Sequence, residues 1–284
     1  MASRSERVGA DGAEPDDGSA KEFVVGLGRA FAGALIFSVP MLMTMEMWWL
    51  GFTIEPFRLA LLLFLMVPML TGLSRLGGFR NNAHVIDDVA DSLVAIAVAA
   101  VSAVIVLALF NLITPEMPVR EVVGKVAIQM FPAAIGAILA QNQLGGGVRD
   151  KMAAVESSYW GELLILAVGA LFLSLNIAPT EEVERIAYQM TVWHVVAIIV
   201  LSIVLLHAIV YMVDFTGTEI RAASFLSVFV GYTVVGYAVV ALVNLYLLWT
   251  FGRTDGLSLH EVMSLVAVIS FPGAIGAAFA RLIL

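Results

Sequence analysis

Four glutamates recur in matched surroundings. Glu121 opens EVVGKVAIQMFPAAIGA and Glu261 opens EVMSLVAVISFPGAIGA, 140 residues further on. Glu46 closes GALIFSVPMLMTME and Glu182 closes GALFLSLNIAPTEE at an offset of 136, with Glu181 beside it. Acids gathered around one axis repel, raise one another's pKa and hold a proton or a cation in compensation. Carboxylates are also the usual ligands of calcium, and rings of Glu or Asp select cations. The chemistry expected of these positions is cation binding, calcium or protons ahead of sodium or potassium. Glu46 and Glu182 form the expected metal pair, and no other cofactor is implied. A blander role competes: Glu121 and Glu261 would open helices, where an acid offsets the macrodipole. Glu46 differs, because it lies in MLMTMEMWW, where a charge among apolar residues needs a reason.

The repeated FPxAIGA stretch supplies a second set of candidates. Pro132 and Pro272 each free a backbone carbonyl one turn earlier, near Ile128 and Val268. Gly136, Gly273 and Gly276 lie among alanines at a spacing that allows close helix approach. The two helices are expected to cross near a pseudo-axis, with Phe131 and Phe271 as a matched apolar constriction. His207 and Asp91 are candidate proton-relay groups, although Asp87, Asp88 and Asp91 also suit a helix N-terminus. Ser38, Ser174, Asn176 and Gln129 would line a pocket for an organic solute. Met41, Met43, Met45 and Met47 would split into two faces of one helix, Met41 with Met45 and Met43 with Met47, serving as packing or lipid-facing filler. No nucleophile elbow, HExxH, P-loop or dinucleotide fingerprint is present, so no enzyme is expected.

The elements carrying these residues follow from composition. Of the 284 residues 61% are hydrophobic and 13% charged, against about 25% charged in soluble domains. Mean hydropathy is +0.96. With no cysteine, disulfide and thiol chemistry are excluded, and a net charge of −8 argues against a nucleic-acid partner. Eight continuous apolar blocks read as membrane helices: about 23–48, 57–73, 89–113, 122–139, 159–177, 192–213, 223–249 and 262–284. Pro68 and Pro132 predict kinks in the second and fourth. Ten of the fifteen Lys and Arg residues fall on the side of the N-terminus; only Arg58, Arg120, Lys125, Arg185 and Arg253 fall on the other. That bias predicts cytoplasmic termini, with the four glutamates towards the outer side.

The expected fold is all-α and polytopic, eight transmembrane helices arranged as two parallel four-helix repeats. The expected divisions are a disordered cytoplasmic tail (1–21), a first repeat (22–140), a cytoplasmic linker (141–158) and a second repeat (159–284). Through MTMEMWW, FPAAIGA, NIAPTEE and FPGAIGA the chain resembles a family of bacterial integral membrane proteins carrying a domain of unknown function, over nearly all of residues 22–284. The resemblance implies a bacterial inner-membrane location and carries no activity. The residues point to a cation channel or transporter in contact with the lipid bilayer. The alternatives are a non-transporting scaffold or sensor and a carrier of a small organic solute. Nothing in the sequence fixes an oligomeric state.

Overall fold

Backbone polar groups in hydrocarbon must find partners within the chain, so apolar blocks of this length become helices. The structure, a computed structural model, describes residues 17–77, 85–144, 159–213, 226 and 229–283. These form ten α-helices: α1 (Asp17–Leu42), α2 (Met45–Thr53), α3 (Pro56–Gly77), α4 (Val85–Leu109), α5 (Val119–Leu144), α6 (Tyr159–Ile177), α7 (Glu181–Gln189), α8 (Val192–Val213), α9 (Val235–Thr250) and α10 (Leu259–Ile283). A π-helical turn, Phe229–Val234, runs directly into α9. No strand occurs among the described residues. Eight segments are long and apolar enough to cross a membrane: α1, α3, α4, α5, α6, α8, the π turn with α9, and α10. The chain is an all-α polytopic membrane protein.

The first span stops earlier than its hydropathy suggests. Thr44 is extended (φ −96, ψ 134). Its backbone N–H and its hydroxyl both donate back to the Met41 carbonyl, at 3.1 and 2.8 Å. Trp48 Nε1 donates to the Leu42 carbonyl at 2.8 Å, satisfying one of the acceptors that a helix end exposes. A new nine-residue helix, α2, therefore starts at Met45. Glu46 does not end the first span; it lies in the first turn of a separate short helix. The methionine faces change for the same reason: Met41 and Met47 are buried, while Met43 and Met45 are exposed. The break recurs at Thr180, which donates twice to the Ile177 carbonyl (3.0 and 2.9 Å) ahead of the nine-residue α7.

Each proline helix is the hub of its own half. α5 packs on α1, α2, α3 and α4, and α10 packs on α6, α7, α8 and α9. Glycine makes the main crossings possible. A Cβ on Gly33 would fall on the Gly136 carbonyl and the Ala140 methyl; one on Gly169 would fall on the Gly276 carbonyl and the Ala280 methyl. The small-residue faces are thus used against α1 and α6, and α5 and α10 share no substantial contact among the described residues. The halves meet instead through α6, which lies on α1, α3 and α5, and through α3 against α9. Phe37 and Phe172 meet across that boundary, their rings tilted at 43° with centroids 4.3 Å apart. Pro40, Pro68, Pro132 and Pro272 all sit inside unbroken helices.

Polar contacts sort the helix ends into two sets. Glu46, just beyond α1, reaches the N–H of Glu181, just beyond α6, so α1 and α6 run in the same direction. Arg58 at the start of α3 donates to the Trp249 carbonyl (2.7 Å) and pairs with Asp255 (2.9 Å). Arg253 pairs with Glu184 (3.0 Å) and donates to the Pro179 carbonyl. This acidic end contrasts with the opposite one, where Arg75 pairs with Asp88 (3.1 Å) and Arg281 with Glu162 (3.3 Å). The expected tail and linker fall largely outside the described residues, which omit 1–16 and 145–158. α1 already begins at Asp17, and α5 continues to Leu144.

Candidate functional site

The acids of the acidic end are each engaged differently. Glu46 is half-buried, and its Oε1 accepts the Glu181 N–H at 3.5 Å. That places a carboxylate from one half at the N-terminus of α7 in the other, where exposed amides and the helix dipole favour it. Glu182 is exposed on the first turn of α7, next to Glu181, which pairs with Arg185 at 2.7 Å. Glu121 pairs with Lys125 at 2.6 Å, and the buried Lys125 ammonium also donates to the Leu112 carbonyl at 2.9 Å. Glu261 forms a capping box with Ser258: its carboxylate accepts the Ser258 N–H (2.7 Å) while its own N–H donates to the Ser258 hydroxyl (3.4 Å). Residues matched in sequence therefore do different work, because the position of Lys125 is taken by Leu265 in the second half. Among the described residues, no three His, Asp or Glu side chains converge to hold a metal ion.

The remaining candidates are scattered. Phe131 and Pro132 are buried within the first half, whereas Phe271 and Pro272 are half-buried; the contacts around α5 and α10 do not bring the two phenylalanines together. Gly136 and Gly276 sit at the glycine crossings already described. His207 Nδ1 meets the buried Thr233 hydroxyl of the π turn at 2.9 Å, and its ring stands edge-on to Phe229 at 5.2 Å. Asp91 is half-buried on α4, one turn beyond the Asp88 that pairs with Arg75. α4 and α8 share no substantial contact, so Asp91 and His207 are not placed as one relay.

A different group of polar atoms stands out beside the two hub helices. Serines on these helices usually satisfy their hydroxyl by donating one turn back: Ser92 to Asp88 (2.8 Å), Ser102 to Val98 (2.7 Å), Ser202 to Ile198 (2.7 Å) and Ser264 to His260 (3.0 Å). Ser174 is 0% exposed, and its hydroxyl has no protein partner. Asn244, also 0% exposed, donates its amide to Ser270 Oγ at 3.1 Å, while its Oδ1 has no protein partner. In the first half Gln129 donates to the Ser38 carbonyl at 2.6 Å, and its buried Oε1 is likewise unpaired. Gln129 lies three residues before Pro132 and Ser270 two before Pro272. Each proline withholds a donor from a carbonyl one turn back, Ile128 or Val268. Oxygen acceptors thus collect along both hub helices, where hydrocarbon offers no water to satisfy them.

The family described as "Putative integral membrane protein (DUF2391)" matches residues 26–284. The chain belongs to this family. No curated protein and no solved structure matches the chain. The match takes in all but the first residues of α1 and agrees with the eight membrane-length helices.

Sequence reasoning named Ser38, Gln129, Ser174 and Gly273 but missed Asn244 and Ser270, which complete the buried cluster. The available signal was a lone amide in the apolar run VVALVNLYLLW. It also missed Lys125, Arg58 and Arg253 as the partners of the acidic end. Arg58 and Asp255 are separated by nearly the whole length between the two halves, so no local spacing links them.

Proposed function

We propose that this protein carries a small cation across the membrane, with oxygen atoms buried along α5 and α10 as the passage and the acidic end as the mouth. The observation that supports the reading is the set of unpaired buried acceptors, Gln129 Oε1, Ser174 Oγ and Asn244 Oδ1. Leaving such a group without a partner in hydrocarbon costs roughly 1–3 kcal/mol. Ser74 Oγ and Asn176 Oδ1 are unpaired as well, and what sets the three apart is that Gln129 belongs to α5 while Ser174 and Asn244 meet Gly273 of α10. Neutral oxygens suit monovalent ions, which protein carbonyl and hydroxyl groups hold in place of water. Calcium favours carboxylate ligands, and the glutamates serve instead as caps, pair partners and a negative rim that concentrates cations.

The halves act, in this account, as two parallel four-span repeats. Six of the seven helix contacts within the first half recur in the second, α1–α5 as α6–α10 and so on, and the Thr44 and Thr180 breaks fall at corresponding places. A scaffold without transport is the competing reading, favoured by the burial of Phe131 and of nearly every residue from Gly124 to Ile138. Purified protein in liposomes separates the two. A cation gradient should drive dye-detected uptake above that of protein-free liposomes; uptake equal to that background for sodium, potassium, calcium and protons would leave the scaffold standing.

A further inference from the structure

Within the second half one set of oxygens is better formed than any other. Ser174 of α6, Asn244 of α9 and Ser270 of α10 are each 0% exposed; Ser174 and Asn244 meet at Gly273, and Asn244 donates to Ser270. A Cβ at Gly273 would lie 2.8 Å from Ser174 Oγ, 2.7 Å from Asn244 Nδ2 and 3.1 Å from a Val240 methyl, so only a glycine here lets the two polar side chains approach this closely. Asn244 lies six residues before the end of α9 and Ser270 eleven residues into α10. At the helical rise the cluster sits about 10–15 Å below the acidic end. The first half does not duplicate it, because Met130 and Ala133 take the places of Ser270 and Gly273.

We infer that Ser174 Oγ, Asn244 Oδ1 and Ser270 Oγ form a binding site for an alkali-metal cation. The donor set is neutral and lies deep enough that a divalent ion would be left without charge compensation. The three donors are side-chain oxygens on different helices, so an ion there ties α6, α9 and α10 together. Asn244 keeps its amide on Ser270 and turns its carbonyl oxygen free, as a ligand would need. This site rests on the transport reading for its purpose but not for its existence.

Thermal unfolding of the purified protein in detergent tests it, with sodium, potassium and choline chloride compared at equal ionic strength. A ligand that binds only the folded state raises Tm, by about 2–3 °C at ten times its Kd. Either sodium or potassium is expected to do so over choline, and the ion that does is the occupant. Ser174→Ala is expected to abolish the ion-specific rise while leaving Tm in choline equal or higher, since it removes a buried hydroxyl that has no protein partner. Gly273→Ala should abolish the rise as well. A wild-type Tm indifferent to the cation, or a rise that survives in Ser174→Ala, overturns the site and leaves water as the filler of the cluster. A specific rise without liposome uptake keeps the site and overturns transport; uptake without the rise does the reverse.

Discussion

At the residue scale, identical letters in a repeat do not guarantee identical jobs. Glu121 and Glu261 occupy the same place in their helices, yet one neutralises a buried lysine and the other caps its own helix through Ser258. The choice is made by a third residue, Lys125 against Leu265. The acids of this end are expected to act by their field rather than as ligands. Replacing Glu46→Gln and Glu182→Gln together should slow cation uptake several-fold at low ionic strength and much less at high salt, where exposed charges are screened. A loss that persists unchanged at high salt would make these residues ligands after all. The glutamates were legible in the sequence because charges in apolar surroundings are conspicuous. Asn244 and Ser270 were not, because neutral polar residues inside an apolar run become informative only once folding shows which of them lack a partner.

At the element scale, hydropathy gave the eight spans but misplaced the end of the first. Met43, Thr44 and Met45 are apolar enough to continue a helix, and the stop shows only in the folded chain, where Thr44 is extended with its N–H and hydroxyl on Met41 and the Trp48 indole takes the Leu42 carbonyl. The FPxAIGA stretches were legible as close-packing segments, whereas their partners were not. Nothing in local spacing says that Gly136 meets Gly33 rather than the other proline helix, since both surfaces are small and apolar. The glycine crossings themselves are a prediction. Gly33→Ala and Gly169→Ala should each lower stability by about 1–3 kcal/mol, as overpacked contacts do, because the new methyl would meet a backbone carbonyl at both places. Gly28→Ala on the same α1, with open space around it, should be neutral or mildly stabilising. Thermal unfolding in detergent reads all three; equal effects at Gly28 and Gly33 would contradict the crossing.

At the scale of the whole molecule, the short helices α2 and α7 and the arginines Arg58 and Arg253 close one end, while paired Arg75–Asp88 and Arg281–Glu162 hold the other. The charge bias of the sequence predicts that the acidic end faces outward. Because the chain has no cysteine, single substitutions report on this cleanly. Glu116→Cys, between α4 and α5, should react with a membrane-impermeant maleimide in intact cells, and Lys21→Cys, near the start of α1, only after permeabilisation. The reverse pattern would invert the protein and turn the acidic mouth inward.

The central claim is that buried neutral oxygens beside the two proline helices carry a monovalent cation. Its most direct test is uptake into liposomes by wild type and by the double variant Gln129→Leu with Asn244→Leu, each shown by size-exclusion to be folded and monodisperse. The account expects sodium or potassium uptake by wild type, reduced at least tenfold in the double variant. Wild-type uptake no greater than that of empty liposomes, or full uptake by a folded double variant, would contradict it.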